Sequence, residues 1–152
     1  MELQAQLQIL GQVALAMLLS SVVGLEREFA HKPAGLRTHM LLGGASALLT
    51  GLAFTIVRRY AATSDFPMLK VDPTVVIQAV VTAVGFLGVG TILRHGPEER
   101  VEGLTTSASL LFVAGIGVCV ALGQTWLGVG ATLLAFATLH LVRWIEGRIA
   151  RR

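Results

Sequence analysis

Cysteine, aromatic side chains and charge are all scarce in this sequence, and each scarcity removes a class of protein. One cysteine in 152 residues, Cys119, excludes an intramolecular disulfide and a cysteine-based zinc site. It lies inside an apolar run, where a buried, inert thiol is its ordinary role. Charged residues make up 14% of the chain, well short of the roughly 25% of soluble domains. No phosphate-cradling glycine loop or nucleophile triad is legible, so no catalytic residue is expected and the chain reads as a non-enzyme. The GxxGxG pattern in "GFLGVG" sits within a hydrophobic stretch, which rules out a dinucleotide fingerprint. His31, His39, His95 and His140 have no zinc or haem spacing, although three of them fall on one side of the membrane and titrate near neutral pH when unperturbed.

What the chain does have is apolar length. Hydrophobic residues are 54% of it, the composition of a membrane protein. The net charge of +3 does not indicate nucleic acid, because the basic residues stand at the edges of apolar runs instead of forming a polar face. Lipid headgroups are the expected partner. A bilayer crossing takes about 20 mostly apolar residues. Five stretches qualify: Leu7–Leu25, Thr38–Val57, Pro73–Leu93, Leu104–Leu122 and Thr125–Trp144. The expected fold is all-α, a polytopic transmembrane helix bundle of five spans forming a single domain over residues 1–152. The opening "MELQAQ" lacks the positive n-region of a signal peptide, so the first span is expected to be retained. Only eight residues follow Trp144, too few for a soluble domain.

Lys and Arg near the spans are held on the cytoplasmic side. With five spans, Arg27, Lys32, Arg37, Arg94, Arg100, Arg143, Arg148, Arg151 and Arg152 share one side, and Arg58, Arg59 and Lys70 the other. The N-terminus is therefore expected outside and the C-terminus inside, with Trp144 and Trp126 as interfacial anchors. Asp72 and Pro73 in "VDPT" announce the third helix as N-cap and first helical residue. "LGQT" implies a tight hairpin between the last two spans.

Helices in lipid associate through small residues that let backbones approach. Ala16, Ser20 and Gly24 recur every four residues, as do Gly43, Ala47 and Gly51. Gly85, Gly88 and Gly90 crowd the third span, for packing or to line a polar pathway. Thr105, Thr106, Ser107 and Ser109 open the fourth, where hydroxyls cap a helix or bond across to neighbours.

Charges of both signs gather where the first span ends and the second begins. Glu26, Arg27, Arg37 and Thr38 sit at the two ends of a linker whose "KPAGLR" combines a helix-resisting proline with a turn-permitting glycine. Glu26 is thereby expected to meet Arg27 or Arg37. Arg94 and Glu102 flank a second charged linker on the same side, and charges at such depth pair or mark a pathway. Glu26 and Glu102 are also candidate ligands for a hard cation such as Mg2+, which takes one or two carboxylates and keeps several waters. No other cofactor is expected.

The segments "GLEREF…KPAGLRTH", "VDPT", "GFLGVGTILR" and "VEGLTTSASL" resemble the membrane domain of the MgtC/SapB family. The matching positions are Glu26, Arg27, Gly35, Leu36, Arg37, Thr38, Gly85, Phe86, Gly88, Gly90, Arg94, Gly103, Leu104, Thr105 and Thr106. Two departures are expected to matter: Glu102 stands where many members carry a basic residue, and no cytoplasmic domain like that of longer members is expected after the last span. The resemblance implies a multi-pass protein of the bacterial inner membrane, linked to magnesium homeostasis and, in pathogens, to survival in host cells. Two mechanisms remain open under it. One is a binding and regulatory module, a homo-oligomer or a partner of another inner-membrane protein. The other is a magnesium or other cation transporter with acidic ligands in a cytoplasmic vestibule.

Overall fold

A computed structural model describes residues 3–61, 72, 74–95 and 100–149. Five helices account for most of them: α1 Leu3–Phe29, α2 Leu36–Ala61, α3 Thr74–Thr91, α4 Leu104–Ala121 and α5 Thr125–Ile149. Each is long and apolar enough to cross a membrane, so the chain is a multi-pass membrane protein with an all-α fold. The one addition among the described residues is a small antiparallel ladder between α3 and α4, β1 Leu93–His95 with β2 Arg100–Glu102. Gly96 and Pro97, at its tip, lie outside the described residues, as does Pro73.

Three helices, α1, α2 and α5, outrun the apolar stretches that announce them. Helix α4 stops one residue short at Ala121, and α3 stops at Thr91, because Leu93, its expected end, pairs in the ladder instead. In α1 the helix continues through Glu26, Arg27 and Glu28 to Phe29, four residues past the expected end at Leu25. Hydropathy marks where hydrocarbon stops, whereas Glu and Arg are good helix formers and do not stop the backbone. The real turn is only residues 30–35. Lys32 N–H bonds the Arg27 carbonyl at 3.1 Å and His31 N–H the Glu28 carbonyl at 3.0 Å, with His31 at φ 54°. This is the bond pattern of a Schellman motif, with histidine in the left-handed place usually held by glycine. Gly35 therefore does not supply the sharp turn expected of it. Its hydrogen makes room for Glu28, whose carboxylate accepts the first free amide of α2, Leu36 N–H, at 2.9 Å; a β-carbon at Gly35 would collide with that carboxylate. Between α4 and α5 the same motif recurs with Gly123 at φ 76° and Gln124 N–H on the Cys119 carbonyl at 2.9 Å.

Helix α4 is the centre of the bundle. Half of its membrane window is buried, against 17% for α3 and α5, and it packs on all four other helices. The small-residue stripes lie inside this packing. A β-carbon at Gly24 would come within 2.9 Å of the Leu36 Cα, one at Gly43 would run into Ser20 Oγ, and one at Gly117 into the Gly43 carbonyl. The three helices α1, α2 and α4 thus touch nearly backbone to backbone, the close approach that small residues permit in lipid. Val23, Val113, Ile116 and Ala135 join α1, α4 and α5, while Val80, Val84, Leu110 and Ala114 join α3 to α4. Ala34 of the α1–α2 turn is buried in the second of these clusters and pins the turn to the bundle.

Candidate functional site

The α1–α2 turn, the β1–β2 ladder and the last turns of α5 lie at one end of the bundle. Just inside that end is a buried layer of charge. Because α1 continues past Leu25, Glu26 and Arg27 project from a rigid helix instead of a loop, and both are almost fully buried, at 5% and 4% exposure. Arg27 Nη1 is 3.5 Å from Glu26 Oε2, and Arg143 of α5, largely exposed, brings its Nη1 to 3.8 Å from Glu26 Oε1. On the other side, Arg27 Nη2 donates to Thr106 Oγ1 of α4 at 3.5 Å.

The polar layer continues into α2. Ser109 Oγ donates to the Thr106 carbonyl at 2.8 Å and lies 3.0 Å from His39 Nε2. His39 Nδ1 is 2.8 Å from the Gly35 carbonyl, and the side chain has no exposed surface. Side chains of α5, α1, α4 and α2 are therefore linked in the order Arg143, Glu26, Arg27, Thr106, Ser109, His39.

This network is not fully satisfied. Neither Glu26 carboxylate oxygen has a hydrogen-bond donor, and Arg27 Nε has no acceptor. Ion pairing at 3.5 and 3.8 Å offsets part of the cost of burying the carboxylate, but a buried charge without hydrogen bonds remains expensive. Structural layers tend to close every such valence.

Among the residues expected from sequence, Glu26, Arg27 and Thr106 come together. Arg37 and Thr38 do not join them: both are exposed, and with Glu28, Gly35 and Leu36 they line a separate polar cavity of about 500 Å³. The backbones of Arg94 and Glu102 are in the ladder, where Arg94 pairs with Val101 and Glu102 with Leu93. Thr105 is exposed. Gly88 is buried and leaves space for Ser107, whereas β-carbons at Gly85 and Gly90 would meet nothing within 4 Å. Sequence reading missed His39 and Arg143 as members of the layer, whereas Ser109 bonds across to a neighbouring helix, one of the two roles expected of it. His39 carried a usable signal, because it shares the α2 stripe of Gly43, Ser46 and Thr50 at helical spacing.

Among the described residues no group of three or more His, Cys, Asp or Glu converges, and Glu26, the one buried carboxylate among them, is flanked by two guanidinium groups, which repel a divalent ion. The side chain of Glu102, the other candidate ligand, lies outside what the structure describes.

Five spanning helices around a central α4, with an ion pair sunk at one end, define a polytopic membrane protein with a buried charged layer. The chain belongs to the MgtC family, whose model matches residues 13–148. It is 36% identical over 134 residues to protein MgtC of Salmonella typhimurium, covering 88% of this chain and 52% of that one. An uncharacterized protein of Haemophilus influenzae is 34% identical over 148 residues, 95% of this chain and 61% of that one. A protein of Escherichia coli K12 named "Putative magnesium transporter YhiD" is 33% identical over 143 residues, 93% and 63% of the two chains. The chain thus spans between about half and two thirds of the length of these relatives. No solved structure matches it.

Proposed function

We propose that this chain is a bacterial inner-membrane module acting in magnesium homeostasis by binding and regulation, with no enzymatic step. Its N-terminus lies outside, and the charged layer faces the cytoplasm. The name of the Escherichia coli relative supports the link to magnesium, and the nine-to-three distribution of basic residues supports the orientation. The working surface is the end of the bundle that carries Glu26, Arg27, Arg143 and the ladder with Arg94 and Glu102. It engages a second copy or another inner-membrane protein.

One observation carries this reading over that of a carrier: the only carboxylate in the buried layer among the described residues is Glu26, and it is paired with Arg27 and Arg143. A carrier binding Mg2+ there would have to move both guanidinium groups away first. A regulatory surface needs no such clearance, because the largely exposed Arg143 joins the buried Glu26 to whatever docks at that end of the bundle.

The test pairs growth with flux. In a strain that depends on this protein for growth at low magnesium, wild type restores growth and Glu26→Gln does not. Purified protein in liposomes containing a magnesium-sensitive dye shows no uptake down a magnesium gradient. Gradient-driven uptake that is lost with Glu26→Ala would overturn the proposal in favour of transport.

A further inference from the structure

His39 is the largest buried polar side chain outside the ion pair, and its hydrogen-bond partners contain a conflict. The Gly35 carbonyl only accepts, so the hydrogen at Nδ1 is fixed there. Nε2 faces Ser109 Oγ at 3.0 Å. Ser109 has a single hydroxyl hydrogen, and two acceptors compete for it: the Thr106 carbonyl at 2.8 Å and a bare Nε2. When the imidazole is neutral, the hydroxyl turns to Nε2 and leaves the carbonyl. When the imidazole is charged, Nε2–H donates to Ser109 Oγ, and the hydroxyl donates to the Thr106 carbonyl. Every heavy atom keeps its place in both states.

We propose that His39 is a buried proton-binding site, built with Ser109 so that both protonation states are hydrogen-bonded without movement of the backbone. The proton is taken from water at the charged face and adds to Nε2; no other bond forms or breaks. The charged groups around it come from few elements. Helix α1 contributes Glu26, Arg27 and Glu28, the last engaged by Leu36 N–H. Helix α5 contributes Arg143 against Glu26. Helices α3 and α4 contain no charged residue, and Arg37 of α2 is exposed. Loading the proton therefore adds a cation to a layer that already holds two guanidinium groups and a single carboxylate. The hold of Glu26 on Arg27 and Arg143 becomes sensitive to pH on that side of the membrane.

The site is open to direct observation. Full-length protein labelled with 15N-histidine, in lipid nanodiscs, is titrated from about pH 9 to about pH 5, the range in which an imidazole changes charge. His39 is assigned with His39→Gln. The expected spectrum at high pH has a hydrogen on Nδ1 and a bare Nε2; at low pH both nitrogens carry one. Ser109→Ala shifts the midpoint by about half a pH unit or more, since the bond it removes is charge-assisted in the protonated state and so worth more there than in the neutral one. A hydrogen on Nε2 instead of Nδ1 at high pH, no titration step across the range, or an unchanged midpoint in Ser109→Ala would each overturn the proposal. The tautomer is read on the unmutated protein, so a poorly folding variant does not block the test.

Discussion

The seam between α1, α2 and α4 and the flank formed by α3 and α5 differ in how completely they satisfy polar side chains, although hydroxyls back-bond on both, Ser46 and Ser109 of the seam included. On the flank, hydroxyls close on their own helices: Thr82 bonds the Gln78 carbonyl, and Thr132 and Thr138 bond those of Gly128 and Leu134, all at 2.8 Å. Such back-bonding lets a hydroxyl sit in hydrocarbon at little cost. The flank also leaves an apolar groove of about 590 Å³ over α4, between Ile77 and Val81 on one side and Leu127 and Ala131 on the other. On the seam the backbones are in near contact, yet every buried polar atom lacking a hydrogen bond among the described residues is found there: Ser20 Oγ, Thr50 Oγ1, both Glu26 oxygens and Arg27 Nε. Close packing and incomplete polar satisfaction occur together. That combination separates a site from a scaffold, because stability alone would favour the flank's solution.

The contrast is easiest to break at the ion pair. Arg27→Met leaves the Glu26 carboxylate buried with only Arg143 nearby, and the expected loss is about 3–5 kcal/mol, read as thermal unfolding in detergent micelles. Glu26→Gln combined with Arg27→Met recovers a large part of it. Next in size is Gly117→Leu, which drives a side chain into the Gly43 carbonyl. It costs about 3 kcal/mol or more in the same assay, while Gly85→Leu, facing open space, leaves the melting temperature unchanged.

Smaller effects sharpen the picture at the opposite end of the bundle. Asp72 caps α3 by accepting the Thr74 amide at 2.8 Å, and the Thr74 hydroxyl and amide together hold its carboxyl below the usual carboxylate range. A depressed carboxyl contributes stability above its unfolded value and loses it as pH falls through the lowered one. Asp72→Ala should therefore melt slightly lower than wild type at neutral pH, and the gap should close in acid. The smallest change is Thr50→Val. Removing a buried hydroxyl with no hydrogen bond leaves stability unaltered or raises it by up to about 1 kcal/mol, whereas a fully bonded Thr50 would show a loss.

The five helices were legible because crossing a bilayer imposes a length and a hydropathy that few other structures share. The Asp72 cap and the tight turn at "LGQT" followed from local chemistry, which sequence carries in full. The extent of α1 was not legible, since hydropathy falls at Glu26 while helix propensity does not. That difference decides the site: it moves Glu26 and Arg27 from a linker onto a rigid helix facing α4. Of the two partners expected for Glu26, Arg27 is beside it, while Arg37 is exposed on the first turn of α2. The pairing of His39 with Ser109 was hidden for another reason. His39 follows Arg37 and Thr38 at the start of α2, Ser109 follows three hydroxyl residues at the start of α4, and only the packing of α2 on α4 brings them together. The three-residue strands β1 and β2 were too short to register as a pattern.

The central claim is that the buried pair at the ends of α1, α4 and α5 does the work of the protein, beyond holding it together. Growth at limiting magnesium of cells carrying Glu26→Gln, at membrane abundance matched to wild type by immunoblot, tests it most directly. Growth should fail in the variant despite equal protein in the membrane. Growth at the wild-type rate would contradict the claim and return Glu26 to a structural role.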